Sequence, residues 1–116
     1  MPVEGAGSAP SVQLYSVLSG SGDDLLVLLH GLGATADIWL PLLAARPAQW
    51  QGRILLLDLP GHGSSAALDS YDMPAVAAAV AEVTRHYLIA GGCYRVLGHS
   101  YGGAVGLELG RRARKA

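Results

Sequence analysis

Phenylalanine is absent from this 116-residue chain, and Trp and Tyr bring the aromatic share to only 6%. Any core must therefore be packed mainly from Leu, Val and Ala. Cys93 is the single cysteine, which excludes a disulfide framework and a thiolate metal cluster; it reads as a small residue ahead of a strand. Charge is equally sparse. Charged residues make up 15% of the chain and the formal net charge is −1, so nothing draws the chain to nucleic acid or to an anionic membrane. The longest apolar runs are of strand length, too short for a membrane span. The first ten residues combine Glu4 with small residues and lack both a basic start and an apolar stretch, so no signal peptide is expected. A soluble, cytoplasmic protein is the expectation. What the chain does have is apolar character, 51% of residues, too much for disorder and enough, at this length, for one domain with a modest core.

The apolar residues fall into two patterns. Leu25-Leu26-Val27-Leu28-Leu29 and Ile54-Leu55-Leu56-Leu57 are continuously apolar, as strands buried on both faces are. Residues 12–17 mix apolar and polar side chains and read as a half-exposed strand, closed by Ser19-Gly20-Ser21-Gly22, while residues 94–97 read as a further apolar strand. Helical stretches lie between. Residues 37–46 read as a short helix with Asp37 as N-cap, its carboxylate accepting from first-turn amides. Residues 73–90 read as a longer helix in which Val76, Val80, Val83 and Tyr87 form one apolar stripe, stopped by Gly91-Gly92. A last helix finishes in Arg111-Arg112-Ala113-Arg114-Lys115, cations suited to the negative end of a helix dipole. Buried strands alternating with helices predict an α/β fold, a mostly parallel sheet flanked by helices, in one domain over residues 1–116.

Chemistry enters at Gly98-His99-Ser100-Tyr101-Gly102, which follows the strand at 94–97 and precedes a helix-like stretch. A strand that turns sharply on a serine and runs directly into a helix is a nucleophile elbow. Glycines two before and two after the serine are needed because side chains there would collide with backbone in so tight a turn. The serine oxygen then stands above the sheet, near the positive end of the helix dipole. A second turn, His30-Gly31-Leu32-Gly33, follows the first buried strand. Such a glycine-rich turn can aim a backbone amide at a developing oxyanion, and the partner amide would be that of Tyr101. Leu32 is the candidate first donor, with Gly31 the alternative. The two turns converge only if both strands run parallel and end on one edge.

The same stretch carries a rival reading. Gly31-Leu32-Gly33-Ala34-Thr35-Ala36 fits a dinucleotide-binding fingerprint, with Asp58 as the ribose-binding acid. That fingerprint needs a helix starting on the glycines, which would put Pro41 in the helix interior, where it clashes; a start near Asp37 tolerates it. Asp58-Leu59-Pro60-Gly61-His62-Gly63-Ser64-Ser65 is a turn, in which Pro60 fixes one dihedral and Gly61 and Gly63 permit positive φ. His62 reads there as a hydrogen-bonded turn residue rather than a base. His99 adjoins the serine and points elsewhere, and His86 lies on the long helix as a solvated residue. No spacing among the four histidines suits a metal. Trp39 and Leu40 near the first turn could line a pocket, but a core role is the expected one.

The ordered trio of His-Gly-x-Gly, Asp-x-Pro-Gly-His-Gly-x-Ser and Gly-His-Ser-Tyr-Gly-Gly, each after a buried strand, resembles the α/β-hydrolase superfamily in its esterase, lipase and lactonase-like group. The resemblance spans residues 12–110. It implies Ser100 as nucleophile, the amides of Leu32 and Tyr101 as oxyanion hole, Gly98 and Gly102 as elbow supports, and His30, Gly31 and His62 in structural turns. It implies ester-type hydrolysis of a small molecule through an acyl-enzyme, with no metal or organic cofactor. In that family an acid and then a His follow the serine in the chain. Here sixteen residues follow Ser100, with Glu108 but neither His nor Asp. The expectation is thus the N-terminal part of the fold, with later strands, acid and base missing: a catalytically incomplete fragment or a split-protein half. The strand at 94–97 would then be an open edge suited to self-association or to a complementing chain.

Overall fold

The structure, a computed structural model, describes residues 10–45, 50–89 and 92–115. The expected helix ends at Arg46 and Ala90, the stop at Gly91 and the reading of the first nine residues lie outside these. Two five-residue runs without a polar side chain between them, apart from Arg53, form the centre of the sheet: β2 (Leu25–Leu29) and β3 (Arg53–Leu57), paired in parallel. β4 (Tyr94–Gly98) adds to β2 in parallel, and β1 (Ser16–Gly20) adds to β3 antiparallel, giving the order β1-β3-β2-β4. Every residue of β3 is buried, whereas β4 alternates between half-buried and exposed. That contrast follows from position: a central strand has neighbours on both edges and cover on both faces, and a flanking strand does not.

Side chains alternate across the sheet with period two, which divides the core into two layers. On one face Leu25, Val27, Leu29, Leu55 and Leu57 pack against Val76, Val80 and Val83 of α2 (Met73–Tyr87) and Val105 and Leu109 of α3 (Tyr101–Lys115). On the other, Leu28, Ile54 and Leu56 pack against Ala36, Trp39, Leu42 and Leu43. Each fully buried Leu or Val side chain is worth about 1.5–3 kcal/mol of transfer free energy, so the aliphatic layers suffice without phenylalanine. Asp72 caps α2 by accepting the Ala75 N–H at 2.8 Å, and Pro74 sits in the first turn, where its missing N–H costs nothing. The stripe expected on α2 is the buried one, with Tyr87 half-buried at its end. His86 is also half-buried and stands edge-on to Tyr87, its ring centroid 5.1 Å away; it is not the freely solvated residue expected.

Two elements differ from the sequence expectation. The first strand is Ser16–Gly20 rather than 12–17. Residues before it bond elsewhere: Gln13 O accepts the Ala66 N–H and Tyr15 O accepts the Asp58 N–H. Those partners belong to the turn after β3, so this segment lies beside a loop and only Ser16 onward meets the ladder. The expected helix at 37–46 is a 3-10 turn, Ala36–Trp39, followed by a short α1 (Leu40–Ala44) with Pro41 at its start. Its cap is Thr35, whose hydroxyl accepts the Asp37 N–H at 3.3 Å; Asp37 lies inside the first turn instead. Trp39 joins the core and Leu40 is exposed. No helix among the described residues is long and apolar enough to cross a membrane.

Candidate active site

β2, β3 and β4 run in parallel, so their C-terminal ends share one edge, and the three turns that leave them meet there. One residue beyond β4, the His99 N–H donates to Leu29 O at 3.0 Å. The chain then reverses on Ser100, whose φ of 57° is the one positive value at a non-glycine among the described residues. Gly102 N–H donates to His99 O at 3.0 Å and Gly103 N–H to Ser100 O at 2.8 Å, which starts α3 at once. A left-handed serine costs about 1–2 kcal/mol; the paired strand before it and the helix after it hold the strain in place.

The flanking glycines are dictated by the same approach. A Cβ at Gly98 would run into the Gly102 carbonyl and lie 2.6 Å from Gly103 N. One at Gly102 would run into the Leu29 carbonyl and lie 2.6 Å from His30 O. Gly31 in turn lies against the elbow: a Cβ there would be 3.5 Å from Ser100 Cβ and 3.3 Å from His99 Nδ1. The turn after β2 and the elbow after β4 therefore touch. The N–H groups of Leu32 and Tyr101 have no acceptor among the described residues, and Leu32 is 74% exposed. Ser100 is itself exposed, and no described side chain hydrogen-bonds its hydroxyl. His99 is exposed beside it.

Behind these turns sits a layer of histidine and aspartate. His30 is wholly buried. Its Nε2 accepts the Leu59 N–H at 2.9 Å, so Nδ1 must carry the proton that it donates to Gly31 O at 2.7 Å. Burial pushes the His30 pKa below 6.5, with the positive form of His62 adding to the effect and the Gly31 carbonyl and Asp58 opposing it. His62 donates from Nδ1 to Pro60 O at 3.0 Å and lies between two rings, 5.0 Å from His30 and 6.4 Å from Tyr101. Asp58 is buried, with Oδ1 accepting the Ala36 N–H at 2.7 Å and Oδ2 the Ser64 N–H at 3.0 Å.

Buried, and with a backbone N–H on each oxygen, Asp58 is not presented to a ribose. The glycines of residues 31–36 open on a turn closed by Ala34 N–H to Gly31 O, with Gly33 at φ 81°, and helical structure begins only at Ala36. The helix start that a dinucleotide site requires at the glycines is absent from this turn. Asp58 as a backbone clamp was not legible from the sequence, because its partner lies 22 residues away. Among the described residues no group of three or more His, Cys, Asp or Glu side chains could hold a metal ion.

A mostly parallel sheet between helical layers, with a left-handed serine raised on a strand–helix elbow against a second glycine turn, defines an α/β protein of hydrolase type. The chain belongs to the alpha/beta hydrolase family, whose sequence model matches residues 26–116. It is 34% identical over 105 residues to the pimeloyl-[acyl-carrier protein] methyl ester esterase of Sodalis glossinidius, covering 90% of this chain and 38% of that protein. It is 42% identical over 96 residues to the dihydrolipoyllysine-residue acetyltransferase component of the acetoin cleaving system of Pseudomonas putida, covering 79% of this chain and 24% of that one. The fold superposes on the enol-lactonase from Burkholderia xenovorans LB400 with a TM-score of 0.77 at 27% identity, over 92% of this chain and 42% of that one. The chain thus spans 24% to 42% of the length of these relatives.

Proposed function

We propose that this chain carries the nucleophile half of a serine hydrolase that cleaves an ester-type bond of a small molecule through an acyl-enzyme. The observation that carries the reading is Ser100 at φ 57° between two glycines that admit no Cβ. Nothing in packing calls for a strained, exposed serine at this point, whereas a nucleophile gains by standing clear of the backbone at a helix N-terminus. In this reading Ser100 Oγ attacks the ester carbonyl carbon and its proton passes to a base. The amides of Leu32 and Tyr101 take up the negative charge on the carbonyl oxygen. The alcohol departs with a proton returned by the base, and water then releases the acid. The names of the relatives, a methyl ester esterase and an enol-lactonase, agree with an ester-type bond.

The base and its acid come, in this reading, from outside these 116 residues, by way of a complementing segment or chain at the outer edge of β4. Without a base the Ser100 hydroxyl is a poor nucleophile near neutral pH, in the attack as in the rest of the cycle. The chain alone is therefore expected to take no stoichiometric phosphonyl group from a fluorophosphonate, as read by intact-mass spectrometry with Ser100→Ala as control. It hydrolyses activated esters no faster than that variant. Ser100-dependent turnover, or a stoichiometric adduct lost in Ser100→Ala, overturns the external base, and an adduct that survives Ser100→Ala overturns the nucleophile assignment.

A further inference from the structure

His30 belongs to no step of that chemistry, yet it is the one histidine wholly removed from solvent, and both of its ring nitrogens are committed to backbone groups. One of those groups is Gly31 O, which also accepts the Ala34 N–H at 3.1 Å. The carbonyl of Gly31 and the N–H of Leu32 are the two ends of a single planar peptide unit, and in a trans peptide they point in opposite directions. A hydrogen bond that draws the carbonyl inward therefore aims the Leu32 N–H outward, away from the ring. The same bond withdraws electron density from the peptide and makes its N–H a stronger donor.

The other end of the ring is anchored as well. Nε2 takes the Leu59 N–H, one residue beyond Asp58, whose Oδ1 takes the N–H of Ala36. The loop between β2 and α1 is thus held at its first residue and at its end by two consecutive residues of the turn after β3. Between those clamps Leu32 is free of internal partners among the described residues.

We propose that His30 is a positioning residue for the oxyanion site: its Nδ1–H, fixed by the Leu59 N–H on the opposite nitrogen, acts with the Ala34 N–H on the Gly31 carbonyl to set the direction and donor strength of the Leu32 amide. This rests on the reading of Leu32 as an oxyanion donor. The role is confined to one tautomer, because a proton on Nε2 would face the Leu59 N–H and leave Nδ1 with only a lone pair towards a carbonyl.

Two isosteric variants separate the halves of the ring. His30→Asn keeps an N–H donor near the position of Nδ1 and loses the acceptor for Leu59, while His30→Gln reaches the position of Nε2 and loses the bond to Gly31. Both lose the ring, so a purely structural role affects them alike. In the wild-type chain, long-range 1H–15N spectra are expected to show Nδ1 protonated and Nε2 bare. The Leu32 amide resonance is expected to stay near its wild-type position in His30→Asn and to move in His30→Gln. An Nε2–H tautomer in the wild type, or equal behaviour of the two variants, overturns the proposal. The tautomer is read on the wild-type chain, so the proposal stays exposed to refutation even if neither variant folds. The NMR results bear on His30 alone, and the adduct control with Ser100→Ala bears on the nucleophile reading alone, so the two can fail separately.

Discussion

Asp58 Oδ1 accepts the N–H of Ala36 at 2.7 Å, joining the end of β3 to the far end of the loop that follows β2. The carboxylate is buried and its second oxygen takes the Ser64 N–H at 3.0 Å. Gly63 stands so close that a Cβ there would run into the same carboxylate. A buried charge is tolerable only when hydrogen bonds replace its hydration, and here backbone amides from two loops do so.

Removing that carboxylate leaves the amide of Ala36 unpaired at a buried position, while that of Ser64 belongs to an exposed residue. Asp58→Ala is expected to lower the free energy of unfolding by about 3 kcal/mol, and Asp58→Asn, which keeps one acceptor, by about half as much. Urea denaturation followed by circular dichroism measures both. A loss below about 1 kcal/mol for the alanine variant would show that the loop is held by something else.

The glycines of the elbow and of α3 make opposite predictions for the same substitution. At Gly102 a new methyl group meets the backbone oxygens of Leu29 and His30, which cannot move without unpairing β2. Gly102→Ala is expected to cost about 3 kcal/mol or more, at the upper end of overpacking effects. Gly110 is exposed on α3 with nothing within 4 Å of its Cβ position. Gly110→Ala is expected to gain about 0.5–1 kcal/mol by helix propensity alone. Thermal melts of the two variants test the pair, and a neutral Gly102→Ala would mean that the elbow relaxes.

Much of this architecture was legible because the signals were local. An unbroken run such as Leu25 to Leu29, five residues long and short for a helix, reads as a strand covered on both faces, and β2 has those limits. The elbow was legible for the same reason, since Gly98 and Gly102 constrain one turn within five residues. What escaped the sequence depends on partners far along the chain. Residues 12–15 have strand-like side chains but meet Ala66 and Asp58 of a loop, so β1 begins four residues later than composition suggests. Asp37 and Thr35 are both good caps by type; a 3-10 turn beginning at Ala36 gives the role to Thr35. His30 and Asp58 could be read as turn residues, but not as the two ends of a clamp, because their partners Leu59 and Ala36 are 29 and 22 residues away.

Backbone strain at Ser100 predicts an inversion of the usual glycine penalty. A glycine substitution normally destabilises because the unfolded chain gains freedom. At φ 57° the absence of a Cβ removes about 1–2 kcal/mol of left-handed strain. Ser100→Gly is therefore expected to exceed Ser100→Ala in stability by about 0.5–1 kcal/mol, after the entropic term is subtracted. The comparison uses two variants that both lack the hydroxyl, so lost chemistry does not enter. Equal midpoints in urea, or a more stable alanine variant, would show the turn to be unstrained.

The buried imidazole of His30 makes stability depend on pH in a direction fixed by its burial. Desolvation, the largest influence, holds its pKa below 6.5, and the nearby His62 works the same way against the Gly31 carbonyl and Asp58. Below pH 6.5 the unfolded chain therefore takes up a proton at this position that the folded chain refuses. Stability is whole above that value, declines as pH falls from it, and has lost the full contribution once pH passes the folded-state pKa. The folded ring resists the proton because it would turn Nε2 into a donor facing the Leu59 N–H. In His30→Asn this proton uptake is gone, while every other titrating group is kept. Urea midpoints taken at about pH 7.5 and about pH 5 should fall further for the wild type than for His30→Asn. Parallel pH dependences would mean that His30 is protonated as readily in the folded chain as in the unfolded one, and that its two backbone bonds do not hold it neutral.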